Sequence, residues 1–185
     1  MSKSIDTKEL IKIALFSALI IIGSYIIIPL FPVPISLQSL FAIASGYYLS
    51  KKYANMSVLL YIVLGLIGLP VFAGGKGGMQ TVFSPSFGYV IGFLAQTFYV
   101  RFKNRNQSKL NLFIMFMISS LIIYCFGVIY MGLFFKLSNK QFDLWKLLFT
   151  GMIVFLPGDM LKALIFSFVT KRIEKYIKKA IQVWL

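Results

Sequence analysis

The segment FLPGDMLKALIFSF, residues 155–168, carries two opposite charges, Asp159 and Lys162, inside a run of apolar residues. No other Asp, Glu, Lys or Arg lies between Lys146 and Lys171. A helix that crosses a bilayer needs ~20 residues, so this stretch predicts a membrane helix over about 146–170. Residues i and i+3 share a helix face. Both charges are therefore expected on one side of that helix, close to the middle of the membrane.

The composition of the whole chain indicates the same environment. Hydrophobic residues make up 59% of it and charged residues only 13%, whereas soluble domains have about 45–50% and about 25%. The net charge of +14 raises the question of a nucleic-acid partner. The basic residues, however, form short clusters between long neutral runs, which is typical of orientation in a membrane rather than of a phosphate-binding groove. We expect a polytopic membrane protein in a lipid bilayer, with no nucleic-acid partner.

Prolines and charge clusters divide the chain into six apolar segments. Pro29, Pro32 and Pro34 follow the first segment, and Pro70 ends the third, before a glycine-rich loop. Proline cannot continue a helix, because it lacks a backbone N–H and its ring clashes with the preceding turn. The predicted fold is all-α: a single six-helix transmembrane domain over residues 1–185. Its helices are expected at about 8–28, 36–50, 53–69, 86–102, 110–135 and 146–170.

The basic residues also predict the orientation of these helices. If the N-terminus lies inside, the inner segments carry fourteen Lys and Arg residues and the outer loops carry four. Positively charged residues favour the cytoplasmic side, so both termini are expected to be cytoplasmic. The four outer residues are Lys76, Lys136, Lys140 and Lys146.

Two charges at the centre of a membrane helix are costly. Together they cost roughly 5–7 kcal/mol, and the thirteen Leu, Ile, Phe and Val residues between Leu147 and Val169 return about 6.5 kcal/mol at best. Two interpretations stay open: an ion pair that matters only for packing, or a functional site for a polar ligand or an ion relay. Pro157, which frees a backbone carbonyl, and Gly158, which leaves room for a ligand, favour the second.

Several classes of function are excluded by residues that the chain lacks. It has no histidine and one cysteine, Cys125, so the commonest general base and metal ligand are missing. The loop GGKGG, residues 74–78, lacks the spacing of a Walker motif. We therefore expect a protein that is not an enzyme, holds no metal or cofactor and cannot itself hydrolyse ATP. The loop is expected to cover the outer membrane face.

Four segments form a distinctive combination: PVPISLQ at 32–38, YIVLGLIGLPVFAGG at 61–75, SPSFGYVIGF at 84–93 and LPGDMLK at 156–162. In this order they resemble the BioY family, the biotin-binding S components of energy-coupling-factor (ECF) transporters. The resemblance extends through nearly the whole chain. Ser36 departs from the family pattern, where threonine is expected more often, but it keeps the hydroxyl.

The resemblance implies six helices around one biotin molecule near the outer face, beneath the loop between the third and fourth helices. Asp159 would accept a hydrogen bond from the ureido ring of biotin, and Lys162 would donate either to the ureido carbonyl or to the carboxylate of the tail. The amide of Gln38 and the phenol of Tyr89 would complete the polar contacts, and the ring of Phe72 would pack on the apolar part of biotin. The candidate site residues are Asp159, Lys162, Gln38, Tyr89, Phe72, Gly74 and Gly75.

The resemblance also implies partners. Ala14 and Ala18 form a small-xxx-small step, which lets helices approach closely, and it is similar to the family's docking surface for a membrane coupling protein, the T component. Two cytosolic ATPase subunits would supply the energy, and the location would be the cytoplasmic membrane of a prokaryote. The alternative is a self-contained secondary carrier for a small polar solute that uses Asp159 and Lys162.

Overall fold

The fold is a bundle of helices joined by short connections. The computed structural model describes residues 6–100, 107–139 and 143–184 of the chain. Within these ranges it has seven α-helices, two short 3₁₀ helices and one two-stranded antiparallel hairpin. In chain order they are α1 Thr7–Tyr25, β1 Ile27–Ile28, β2 Ile35–Ser36, α2 Gln38–Tyr48, α3 Lys51–Leu66, the 3₁₀ helix Met79–Phe83, α4 Phe87–Val100, α5 Lys109–Leu137, α6 Leu144–Gly151, the 3₁₀ helix Ile153–Phe155 and α7 Leu156–Trp184.

Five of the six predicted helices are found as α1 to α5, with ends that differ by a few residues. Local signals explain two of the beginnings. The Asp6 carboxylate accepts a hydrogen bond from the amide of Lys8, and the Ser108 hydroxyl accepts one from the amide of Asn111. Such side chains satisfy amides that have no partner inside the helix. The predicted end of the fourth helix, at about 102, lies outside the described residues.

The sixth helix, predicted over about 146–170, is found in two parts. α6 ends at Gly151, the backbone of Met152 leaves the helical region (φ −138°, ψ −57°), and the 3₁₀ turn separates α6 from α7. Pro157 explains the break, because proline fits the first turn of a helix, where its missing N–H would have no partner anyway. The break places Asp159 in the first turn of α7, where the unpaired amide groups favour a negative charge.

Close contact between α4 and α5 builds one wall of the protein's interior. A Cβ added to Gly88 would come within 2.3 Å of the Cβ of Tyr130, and one added to Gly92 within 2.8 Å of the Cα of Ile123. Small residues four apart let helices approach this closely in membrane proteins. α5 in turn packs along α7, so it contacts both α4 and α7.

Two stretches of the described chain are long and apolar enough to cross a membrane, Lys109–Leu137 and Leu144–Tyr176. The second contains α6, the 3₁₀ turn and most of α7, and Phe87–Val100 is a shorter apolar helix. The prediction that six helices span the membrane, in a single domain, therefore stays a prediction.

Contacts among helix ends bring basic residues together at one end of the bundle. The ammonium group of Lys51 lies 4.1 Å from the centre of the Phe98 ring, and that of Lys109 lies 3.9 Å from the centre of the Phe168 ring. The beginnings of α3 and α5 therefore lie beside the end of α4 and the middle of α7, respectively. Other residues used in predicting the orientation lie outside the described residues: Lys3, Arg101, Lys103, Arg105 and Lys140.

Candidate ligand-binding site

Polar and aromatic side chains from α2, α4, α5, α7 and the loop after α3 surround a cavity. Its volume is about 70 Å³, below the ~300–1,000 Å³ usual for small-molecule sites, so its walls lie close together. Its lining includes Val33, Ser36, Gln38, Ser39, Phe72, Lys76, Ser86, Phe87, Tyr89, Phe93, Tyr124, Phe155, Asp159 and Lys162.

Asp159 and Lys162 form a buried ion pair in the cavity wall, with 3% and 6% of their surfaces exposed. The Lys162 ammonium donates to Oδ1 of Asp159 at 2.7 Å and to the Ser39 hydroxyl at 3.0 Å. The Tyr124 hydroxyl donates to Oδ2 of Asp159 at 2.7 Å. The two interpretations left open by the sequence thus describe the same residues: the charges neutralise each other, and both line a cavity.

The ion pair keeps hydrogen-bonding capacity for a ligand. An ammonium group has three donors, and a carboxylate can accept about four hydrogen bonds. In the described part of the chain, two partners of the Lys162 ammonium and two partners of the Asp159 carboxylate are found. A neutral ligand group that offers an N–H beside a carbonyl oxygen would therefore fit both residues at once.

The amide of Gln38 is held in a fixed orientation at the start of α2. Its Nε2 donates to the Tyr61 hydroxyl at 2.7 Å, and its Oε1 accepts from the Ser36 hydroxyl at 3.2 Å. The side chain is buried. One further donor and one further lone pair of the amide are available in the cavity wall.

Tyr89 contributes its ring to the cavity wall, and its hydroxyl forms a hydrogen bond at the break between α6 and α7. The hydroxyl donates to the carbonyl of Gly151 at 2.6 Å, a carbonyl at the very end of α6. Phe72 also contributes its ring to the cavity wall. The ring makes edge-to-face contacts with Tyr61 and Phe87, at 5.4 and 6.2 Å between ring centres. Both residues line the cavity, and their contact with a ligand stays a prediction.

Gly74 and Gly75 are not among the residues that line the cavity within the described chain. They form a tight turn between Phe72 and Lys76, with φ values of +79° and +70°, a region that side chains other than glycine adopt at a cost. The structure gives them the role of shaping the loop, and direct contact with a ligand stays a prediction.

Ala14 and Ala18 lie on the exposed side of α1 and are not among the described residues that line the cavity. Large apolar residues share this side, including Ile11, Leu15 and Ile22. A neighbouring groove of about 610 Å³ lies between α1, α2 and α7. An exposed apolar surface of this kind faces lipid or a membrane partner, so docking through the two alanines stays a prediction.

Sequence reasoning missed Ser39 and Tyr124, which hold the ion pair. Each is a polar residue in an apolar stretch, and this was the signal available for them. Nothing local relates Tyr124 to Asp159, because 35 residues separate them along the chain and their contact depends on how α5 packs on α7.

The fold and the cavity define a class: a small helical membrane protein that encloses a site for a small polar ligand. The model of the BioY family matches residues 1–179. The chain belongs to the BioY family.

Relatives of known name are similar over most of their length. The biotin transporter BioY of Thermotoga maritima is 36% identical over 169 residues, which cover 91% of this chain and 96% of that protein. The probable biotin transporter BioY of Pyrococcus horikoshii is 33% identical over 167 residues, with 90% and 96% covered. Among solved structures, the S-component for biotin from an ECF-type ABC transporter is 32% identical, with a TM-score of 0.77 and 95% of both chains covered. These relatives are transport proteins rather than enzymes.

Proposed function

We propose that this chain binds biotin as the S component of an ECF-type vitamin transporter. The names of its relatives and its likeness to a solved S-component for biotin support the proposal. The observation that carries it is the buried pair of Asp159 and Lys162, which lines the cavity and keeps both donor and acceptor capacity.

Biotin matches this capacity chemically. Its ureido ring has two N–H donors and a carbonyl acceptor, and its tail ends in a carboxylate, so Asp159 accepts from an N–H while the third donor of Lys162 reaches either the ureido carbonyl or the tail carboxylate. The Gln38 amide supplies a further polar contact, and the aromatic rings of Phe72 and Tyr89 pack on the thiophane ring and alkyl tail. A ligand without the ureido group would leave buried charged groups without these partners, which costs free energy. Because the cavity is narrow, small side-chain rotations accompany entry.

The same proposal includes the placement of the protein in the membrane. Six helices of a single domain cross the cytoplasmic membrane of a prokaryote, with both termini inside. The contacts of Lys51 and Lys109 support this orientation, because they lie at the end of the bundle opposite the loop that carries Lys76. The cavity then opens towards the outer face, where the vitamin arrives.

ATP-driven transport by this chain requires partners, because the chain has no Walker motif. A membrane coupling protein docks on the exposed side of α1 at Ala14 and Ala18, and two cytosolic ATPase subunits supply the energy. The alternative of a self-contained secondary carrier is not favoured, since the similar solved structure is a component of an ABC transporter.

Calorimetric titration of the detergent-purified chain with biotin, dethiobiotin, thiamine and riboflavin tests the proposal. We expect biotin to bind most tightly and dethiobiotin, which keeps the ureido ring, to bind more weakly. Thiamine and riboflavin should give no heat of binding. A chain that binds thiamine or riboflavin as tightly as biotin, or that binds none of the four, contradicts the proposal.

A further inference from the structure

The charged residues of the cavity lining differ in burial. Asp159 and Lys162 are buried and neutralise each other at 2.7 Å. The loop after α3 adds a second cation to the lining, Lys76, whose side chain is exposed. The lining therefore has a buried part that is neutral overall and an exposed part that is positive.

No acidic side chain of the protein neutralises Lys76. The chain has five acidic residues, and all of them lie within the described ranges. Each has another partner: Asp6 and Asp143 accept from amides at the beginnings of α1 and α6, Glu9 pairs with Lys12, Asp159 with Lys162, and Glu174 with Lys171.

The backbone of the loop directs Lys76 towards the cavity. Phe72 and Lys76 exchange both backbone hydrogen bonds, at 2.9 and 3.2 Å, as a directly opposed antiparallel pair. Side chains of such a pair point to the same face, and the Phe72 ring is buried in the cavity wall. The turn through Gly74 and Gly75, whose positive φ values allow it, thus presents the ammonium group on the same face as Phe72.

We propose that Lys76 binds the carboxylate of the ligand's tail and makes the site selective for the free acid. This inference rests on the proposed function and goes beyond it, because it fixes the direction of the ligand in the cavity. A tail carboxylate beside Asp159 would bring two negative charges to the single ammonium of Lys162 in a buried place, which is unfavourable. Beside Lys76 it meets a positive charge with no acidic competitor.

The orientation decides between the two roles that the sequence left open for Lys162. Its remaining donor serves the neutral ureido carbonyl, and the charged tail lies at the mouth. Lys76 is thus a specificity-determining residue, while Asp159 and Lys162 recognise the ring. Since the mouth is exposed to water, the attraction at Lys76 should weaken as salt concentration rises.

Calorimetric titration with biotin and with biotin methyl ester tests the inference. The wild-type chain should bind the acid more tightly than the ester. In Lys76→Gln the affinity for the acid should fall about tenfold, the order expected for one partly exposed hydrogen bond between charged groups, while the affinity for the ester stays the same. Lys76→Arg should keep the preference, and so should the control Lys136→Gln, which removes an exposed charge near the end of α5.

The possible results separate this inference from the proposed function. A wild-type chain that binds neither ligand contradicts the proposed function, and this inference with it. A chain that binds biotin but whose Lys76→Gln variant keeps the wild-type ratio of acid to ester affinity overturns the inference alone. A wild-type ratio near one overturns it as well. Loss of the preference in Lys76→Gln, with the ester still bound, supports it.

Discussion

Helix α7 carries two ion pairs with the same spacing and length but different surroundings. Lys162 pairs with Asp159 and Lys171 pairs with Glu174, each between residues i and i+3 and each at 2.7 Å. In the first pair 8% and 4% of the side chains are exposed, and in the second 24% and 20%. The first lies beside the cavity near the start of the helix. The second lies about three turns further along the helix, where Tyr47 also donates to Glu174.

The comparison shows that distance alone does not tell what an ion pair does. Removing one partner of a buried pair leaves a charge without compensation and costs ~3–5 kcal/mol. An exposed pair contributes only ~0–1 kcal/mol. The charges of Asp159 and Lys162 are therefore costly if either loses its partner, and the cavity beside them gives a functional reason for keeping them in an apolar helix.

The largest effect is expected from Asp159→Asn. The variant removes the charged acceptor that we propose for the ureido N–H, and it leaves Lys162 buried without its counter-charge. Biotin affinity should fall at least about a hundredfold, and the free energy of unfolding should fall by ~3–5 kcal/mol. Calorimetric titration and thermal unfolding in the same detergent measure the two effects, with Glu174→Gln as the matched control. An affinity within about threefold of wild type would exclude Asp159 from the site.

The double variant Asp159→Leu/Lys162→Met separates stability from binding. A buried ion pair can be replaced by apolar residues of similar volume at little cost. Most of the stability lost in the single variant should therefore return, while biotin binding stays lost. A double variant that unfolds as easily as Asp159→Asn would show that the pair serves packing, and one that still binds biotin tightly would show that the pair does not recognise it.

A smaller effect is expected from Tyr124→Phe. The hydroxyl of Tyr124 orients the Asp159 carboxylate, and its removal leaves Oδ2 without that donor. Biotin affinity should fall about tenfold, as for the loss of one hydrogen bond to a charged group. Tyr99→Phe, on α4 and outside the cavity lining, is the control. Equal affinities of the two variants would mean that Tyr124 does not position the carboxylate.

The smallest effect is expected from Lys171→Gln in the partly exposed pair. The free energy of unfolding should change by less than ~1 kcal/mol, and the biotin affinity should not change. Unfolding and titration experiments on this variant complete the comparison of the two pairs. A loss of binding as large as that of Asp159→Asn would show that burial does not distinguish them.

Much of the architecture follows from the sequence, because charge clusters and prolines divide the chain wherever a helix meets water. The exception lies before Pro157. A proline in an apolar run is compatible with a kinked helix or with a new first turn, and only packing decides. Here the Tyr89 hydroxyl stabilises the end of α6 by donating to the Gly151 carbonyl. This contact between α4 and α6 is not specified by any local sequence pattern.

The candidate site could be predicted from the sequence where a charged residue lies in an apolar segment. Asp159 and Lys162 are conspicuous because charges are costly in an apolar helix. Ser39 and Tyr124 are ordinary residues for a membrane helix, so their importance depends on which atoms they reach. Lys76 was counted for orientation, and its place in the cavity lining follows from its backbone pairing with Phe72.

The central claim is that the buried pair is retained because it recognises a ureido group. The most direct test is a titration of the wild-type chain and the Asp159→Leu/Lys162→Met variant with two ligands: biotin, and an analogue that keeps the thiophane ring and tail but lacks the ureido ring. We predict that wild type prefers biotin by about a hundredfold, equivalent to ~2.7 kcal/mol, and that the variant shows almost no preference. The same preference in both proteins would contradict the claim.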